Sequence, residues 1–391
     1  VNADRPMVIG VVTWSYPPEK SGLAVAAREI AQSLAALGHD VRVLTLDRGG
    51  RGRDGAVEIV GAADGLSPLL RGLRKLAVVG HLAAPLAFAR VARREHAIRP
   101  FDVIEGTNWY APLAALARSA IPVVTRCSSP VAETVEQRAT LRNRLDAAMA
   151  RWLEAAGARA SAGIISNSRA HGRKIAALYG VAAPSSPLHA VVGLSLSPAF
   201  LGSASVARFP DPLTGPVRVL FVGRPERRKG FDAVIEAIAL LADAPVDFTL
   251  VGIAPADLGS VPLANVTCHH RLDQADLLSE FERAHVVLCP SRYESFGLVY
   301  QEAMAFGRVV LACKEDPSAR EFVGEPGGGI LAARCDGPAI AEVLRDLLED
   351  RRTLSDWRER ALATAGRFDR GSLGTETETF YRNCLQRAGM G

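Results

Sequence analysis

Val217-Arg218-Val219-Leu220-Phe221-Val222 is a nearly continuous apolar run of strand length, and Gly223-Arg224-Pro225-Glu226-Arg227-Arg228-Lys229-Gly230 follows it at once. Phe231, Val234, Ile235, Ile238 and Leu241 then recur at helical spacing, and Phe248-Thr249-Leu250-Val251 reads as a second strand. Strand, loop, helix and strand in that order make a βαβ unit, whose crossover demands a parallel sheet. The same unit stands near the start of the chain. There Val8 to Thr13 is the strand and Tyr16-Pro17-Pro18 through Gly22 the loop. Ala27, Ile30, Ala31, Leu34 and Leu37 form the helix face, Gly38 stops it, and Val41 to Leu46 is the next strand.

Between the two units, residues 183–216 carry Pro184, Pro187, Pro198, Pro210, Pro212 and Pro216, the composition of a linker. The chain therefore reads as α/β, with two Rossmann-like doubly wound domains facing a central cleft. Each presents a crevice at the carboxyl ends of its strands. A length of 391 residues suffices for two cores, and 48% hydrophobic against 23% charged residues excludes a disordered chain. The net charge of +4 comes from 46 basic and 42 acidic residues, too interspersed to point to nucleic acid as a partner.

Six widely separated cysteines without a C-x-x-C pair read as reduced thiols, not as a disulfide framework or a zinc site. The N-terminal residues lack the layout of a signal peptide, and no apolar run reaches the ~18 residues of a membrane span. The expectation is a cytoplasmic protein, with the inner face of the membrane as the alternative place. Residues 66–96 bear on that choice, because leucines alternate there with Arg71, Arg74, Lys75, Arg90, Arg93 and Arg94. Such a stretch is either a basic amphipathic face for peripheral membrane contact or two core helices with solvated outer sides; the second is the simpler reading.

The most informative chemistry lies at 290–306, Pro-Ser-Arg-Tyr-Glu-Ser-Phe-Gly-Leu-Val-Tyr-Gln-Glu-Ala-Met-Ala-Phe, directly after the strand Val286 to Cys289. Glu294 falls in the loop and Glu302 in an early turn of the helix beyond Gly297. A carboxylate accepts two neighbouring hydroxyls, as of a ribose diol, and the N–H groups of Phe296, Gly297 and Leu298 at a helix start suit phosphate oxygens. In the loop 223–230, Arg224 and Lys229 bracket a turn where two cations could clamp a diphosphate and stabilise it as it leaves. Arg227 and Arg228 read as a solvated basic turn. Lysine occurs otherwise only at 20, 75, 174 and 314, which singles out Lys229.

On these motifs the chain resembles the GT-B retaining glycosyltransferases of family 4, over nearly its whole length. Val222-Gly223-Arg224 with Lys229-Gly230 resembles the diphosphate motif. Pro290-Ser291, Glu294 to Leu298 and Glu302-Ala303-Met304-Ala305 with Gly307 match the family's E-x7-E motif. Tyr16 to Gly22 and Gly38-His39-Asp40-Val41 resemble its N-terminal loop, helix and second strand.

The resemblance implies an acceptor-binding domain over 1–195, a nucleotide-sugar-binding domain over 196–370 and a helix over 371–391 returning to the first domain. It implies a retaining, metal-independent hexosyltransferase, with a UDP-sugar favoured over a GDP-sugar as donor. It needs no cofactor, and the acceptor is a hydroxyl of a small molecule, a glycan or a lipid. Arg224, Lys229 and Glu294 would be catalytic. The donor would lie on Gly22, Gly223, Arg224, Lys229, Glu294, Ser295, Phe296, Gly297, Leu298 and Glu302, with Glu302 on the ribose.

Three positions depart from the family pattern: Ser21-Gly22 for Gly-Gly, Ser128 where many relatives have histidine, and Arg308, read as a surface change, for proline. Candidates for the acceptor are Trp14, Tyr16, Asn108, Trp109, Tyr110, Arg126 and Ser128, because aromatics at strand ends stack on sugar or cyclitol rings. Arg138, Arg142 and Arg144 read as an anion contact or a solvated helix face. Other functions of the same architecture are a nucleotide-sugar epimerase, a sugar phosphorylase or a non-catalytic nucleotide-sugar-binding subunit. A Rossmann oxidoreductase is disfavoured, since neither strand–helix turn has G-x-G-x-x-G.

Overall fold

The computed structural model describes residues 5–19, 21–134, 140–259, 264–367 and 369–388. The chain forms two compact units, Val1–Ser195 with Asp369–Gly391, and Leu196–Phe368. In the first, β1 (Val8–Thr13), α1 (Gly22–Ala36) and β2 (Asp40–Thr45) make the opening βαβ unit, with Val8 opposite Asp40 and Thr13 opposite Thr45. A hairpin of β3 (Arg51–Asp54) and β4 (Val57–Gly61) extends that side.

Then come α2 (Pro68–Leu73), α3 (Ala83–Ile98), β5 (Val103–Thr107), β6 (Val123–Cys127) and α4 (Val131–Thr134). The series closes with α5 (Leu141–Arg159), β7 (Gly163–Ser166), α6 (Arg169–Tyr179) and β8 (His189–Val191). The strand order is β3-β4-β2-β1-β5-β6-β7-β8, parallel except for β3. The winding reverses between β1 and β5, so their carboxyl ends frame the crevice of this unit.

The second unit holds α7 (Pro198–Val206), β9 (Val217–Val222), α8 (Phe231–Leu240), β10 (Val246–Val251), β11 (Val266–His269), α9 (Gln274–Arg283) and β12 (Val286–Cys289). It continues with α10 (Leu298–Ala305), β13 (Val309–Cys313), α11 (Pro317–Ala319), β14 (Gly329–Ala332), α12 (Gly337–Glu349) and α13 (Thr353–Ala365). Its order is β11-β10-β9-β12-β13-β14, and the reversal falls between β9 and β12. Phe221, Val234, Phe248, Leu250, Leu288 and Leu311 fill the core against α8 and α12.

The proline-rich stretch 183–216 is not a bare linker, for it contains β8 and α7. Ser197 caps α7 by accepting the N–H of Phe200, and Pro198, fixed in φ and without an N–H, suits the first helical position. Arg308 is not a surface change. It is fully buried, donates to the carbonyls of Ala284 and Arg208 at 3.3 and 2.6 Å, and sits 5.2 Å from the Phe209 ring.

The last helix, α14 (Arg370–Ala388), packs on α1 within the first unit. Its anchor corrects one acceptor candidate. Arg126 is buried and donates to Glu105 at 2.8 and 3.1 Å and to Thr377 Oγ1 at 2.9 Å, while the Tyr381 hydroxyl donates to Glu105 at 2.5 Å. A guanidinium enclosed in this way binds the returning helix and is shut off from an acceptor by burial, even though its Nη1 has no hydrogen-bond partner among the described residues. At the other end of the helix, Arg370 grips buried Glu29 through two bonds of 2.9 and 2.7 Å.

Candidate active site

The loops after β9 and β12 meet at the reversal point of the second sheet. Gly230 has φ +72°, and a Cβ there would lie 2.0 Å from the carbonyl oxygen of Pro290, so only glycine lets the loops touch. Arg292 fastens them further, donating its N–H to the Arg228 carbonyl at 2.9 Å and its guanidinium to Asp232 at 2.7 and 2.9 Å.

A string of alternating charges results. Lys229 Nζ donates to Glu294 Oε1 at 2.5 Å, and Arg228 lies 3.5 Å from Glu294 Oε2. Arg228 also reaches Glu226 at 3.3 Å, and Glu226 pairs with Arg224 at 2.9 Å. Arg228 is thus not the solvated residue its sequence context suggests; its side chain is mostly buried and its Nη1 donates to the Tyr293 carbonyl at 3.1 Å. Arg224 is the exposed end of the string, at 71% side-chain accessibility, and the structure does not bring it to Glu294. Gly223 joins β9 to this loop and bonds the Val251 carbonyl at 2.9 Å.

Glu294 is the centre of the second loop. Burial alone would raise its pKa, but Lys229 and Arg228 outweigh that and hold it below the usual carboxylate range. Ser291 Oγ donates to it at 2.8 Å. Its main chain is fixed from both sides, the N–H on Asp316 Oδ1 at 3.1 Å and the carbonyl on Ser318 Oγ at 2.7 Å. Asp316, raised to about 6 by burial and then by Glu294, also accepts the Tyr300 hydroxyl at 2.8 Å. Sequence reasoning missed Asp316, Ser318 and Tyr300, because they come from the turn after β13 and from the helix α10, and no local motif ties them to Glu294. The Ser-x-x-Glu spacing of Ser291 and Glu294 was the one available signal.

Beyond Glu294 the chain turns into α10 through Ser295, buried Phe296, which packs on Phe322, and Gly297 at φ +79°. The N–H groups of Gly297 and Leu298 have no partner among the described residues. A Cβ on Gly297 would stand 2.3 Å from the Tyr300 ring. Gly297→Ala is therefore expected to cost about 2 kcal/mol or more, from the left-handed backbone and the clash together, and to displace the unpartnered amides. Thermal unfolding checks this: the melting temperature should fall.

The carboxyl group of Glu302, on α10, has no hydrogen-bond partner among the described residues. Burial raises its pKa to about 7 against the opposing pull of Lys229. Burial likewise raises the Cys289 thiol at the end of β12, which also feels Lys229, Glu294 and Glu302 across space. Lys229 and Glu294 thus meet at this strand end, and Glu302 lies within electrostatic reach of Lys229.

The candidates in the first unit divide into two sets. Gly22 opens α1 behind the cap Ser21, whose Oγ accepts the Ala24 N–H at 3.1 Å, and a Cβ at Gly22 would meet nothing within 4 Å. Tyr16 is fully buried with its hydroxyl on Asp54 at 3.0 Å, so it offers no ring face for stacking. Asn108 is buried and committed, donating to the Tyr179 hydroxyl at 2.8 Å and accepting the Ser128 N–H at 2.7 Å. Ser128 spends its hydroxyl on Thr107 at 2.9 Å, which makes it part of the same internal network.

Trp14, Trp109 and Tyr110 remain available in part. They meet edge to face at the ends of β1 and β5, and Tyr110 stacks on His81 at 5.3 Å. Arg138 lies outside the described residues.

Two family models match the chain: Glycosyltransferase Family 4 over residues 20–191 and Glycosyl transferases group 1 over residues 207–364. Among curated relatives, the glycogen synthase of Mycobacterium tuberculosis (strain ATCC 25618 / H37Rv) is 28% identical over 88% of this chain and 86% of its own. The D-inositol 3-phosphate glycosyltransferase of Kineococcus radiotolerans is 28% identical over 94% and 92%. The solved structure of Anabaena HepE in complex with UDP and glucose superposes with a TM-score of 0.67, at 21% identity over 95% of this chain and 98% of that one. With two parallel-sheet units and both family models in chain order, the protein belongs to the family 4, group 1 glycosyltransferases of GT-B fold.

Proposed function

We propose that the protein transfers a sugar from a nucleotide-sugar donor, a UDP-sugar before a GDP-sugar, to an acceptor hydroxyl with retention of anomeric configuration and without metal. The observation that carries this reading is the convergence of Lys229 and Arg228 on Glu294, near a Glu302 whose carboxyl has no hydrogen-bond partner among the described residues. Lys229, Arg228 and Arg224 would face the diphosphate, the amides of Gly297 and Leu298 its oxygens, and Glu302 the ribose diol. As the bond from the anomeric carbon to phosphate oxygen breaks, the acceptor oxygen bonds that carbon from the same face. Its proton passes to the departing phosphate, whose charge the cations stabilise. HepE, which was solved with UDP and glucose, supports the choice of donor.

The test is thermal unfolding with UDP and GDP, each with a chelator present. At about 100 times its dissociation constant the nucleotide stabilises the fold by about 2.7 kcal/mol. Stabilisation by neither nucleotide overturns the donor assignment, and stabilisation lost in chelator overturns metal independence. Mass-spectrometric screening of donor–acceptor pairs, followed by the anomeric configuration of the product, decides retention.

Glu302 gives the binding a pH signature. Ionised, its two oxygens accept both ribose hydroxyls in charge-assisted bonds, and protonated it holds the diol more weakly; with a pKa of about 7 it is mostly ionised above that pH. Glu302→Gln is expected to weaken UDP about tenfold at pH 8 and much less at pH 6. Calorimetric titration of both proteins at both pH values reads this difference; equal losses at the two would remove the ribose role.

A further inference from the structure

Residues 66–94 contain no aspartate or glutamate, and the structure divides them. α3 is a core helix: Ala87, Phe88 and Val91 are buried, while Arg90 and Arg93 donate to the carbonyls of Gly65 and Ala115. α2 and the turn that follows it do the reverse. Leu69 and Leu76 are 81% and 58% exposed, and Arg71, Arg74 and Lys75 are exposed without a hydrogen bond or ion pair from their side chains among the described residues.

A second segment adds to this surface. On α5, Leu141, Leu145 and Trp152 are 72%, 52% and 60% exposed, at spacings of four and seven that place them on one helix face. Arg142 and Arg144 beside them are exposed and likewise unpaired among the described residues. The two segments abut, because Asp146 of α5 accepts the Val78 N–H at 2.8 Å and lies 3.1 Å from His81 Nε2. Asp146 is the sole acid in residues 140–153, and it is occupied by these contacts.

We propose that α2, the turn through residue 82 and the outer face of α5 form a docking surface for an anionic lipid bilayer. Exposed leucines and a tryptophan set among unpaired cations match the acyl boundary and the anionic headgroups together. A second copy of the chain fits poorly, since its identical patch would bring like charges together. The inference does not depend on the glycosyl-transfer reading, because docking needs no nucleotide.

The test is sedimentation of the full chain with phosphatidylcholine vesicles, with or without about one third phosphatidylglycerol. Binding should require the anionic lipid and weaken steeply with salt. Arg71→Glu/Arg74→Glu/Lys75→Glu should reduce it at least about tenfold. Leu69→Ser/Leu76→Ser keeps the charges and should reduce it severalfold, and the tryptophan emission shift on binding should vanish in Trp152→Phe. All these positions are exposed, so unchanged melting temperatures show that the variants are folded. Absence of binding, equal binding to neutral vesicles, or full binding by the double serine variant overturns the proposal. So does a dimer in sedimentation velocity that the triple glutamate variant abolishes.

Discussion

Lys229→Ala is expected to lower kcat by about 10²–10³-fold while weakening UDP less than about tenfold. The lysine is a charge fixed against Glu294, 2.5 Å away, in a partly buried position where water screens it little. Such a cation contributes most when the diphosphate gains charge in the transition state, and less to the resting donor, which Arg224, Arg228 and the helix-start amides would still hold. Removing it also strips buried Glu294 of its nearest counter-charge, so the carboxyl should titrate higher. Turnover of a matched donor–acceptor pair, set beside calorimetric UDP binding, separates the two effects. A variant as active as the parent would show that the lysine only props up the loop.

Glu105→Ala should have the largest effect on stability, about 3–5 kcal/mol. Glu105 receives two bonds from buried Arg126 and one from Tyr381, and its loss leaves an enclosed guanidinium without its counter-charge, beside the hydroxyls of Thr377 and Tyr381. The cost should appear as an early unfolding transition of the first unit in calorimetry. Tyr381→Phe removes a single bond and should cost about 1 kcal/mol. If the two variants melted alike, the network would not be what holds α14.

The alternation of apolar runs and helical faces was legible because parallel strands buried on both sides must be apolar. The stretches at 223–230 and 290–306 were legible because glycine and lysine in the first, and glycine with Glu294 and Glu302 in the second, occur at fixed spacing. What remained hidden depends on contacts distant in sequence. Arg126, adjacent to a promising strand end, turns inward because Glu105 and Tyr381 meet it there. Tyr16 is drawn under the β3 hairpin by Asp54. Arg228 reads like its neighbour Arg227, and only the folded loop distinguishes them, by placing Glu294 and the Tyr293 carbonyl within its reach. Pro198 reads as linker unless the capping serine before it is weighed.

Because α14 completes a body begun at the other end of the polypeptide, the second unit is an insertion within the first. During synthesis, the second unit is complete in sequence before α14 is made, whereas the unit that opens with β1 needs α14, made later, to complete it. Until then the face of α1 that α14 covers and the Glu105–Arg126 pair lack that cover. Late truncations should therefore yield a nascent chain whose older half fails while its younger half folds.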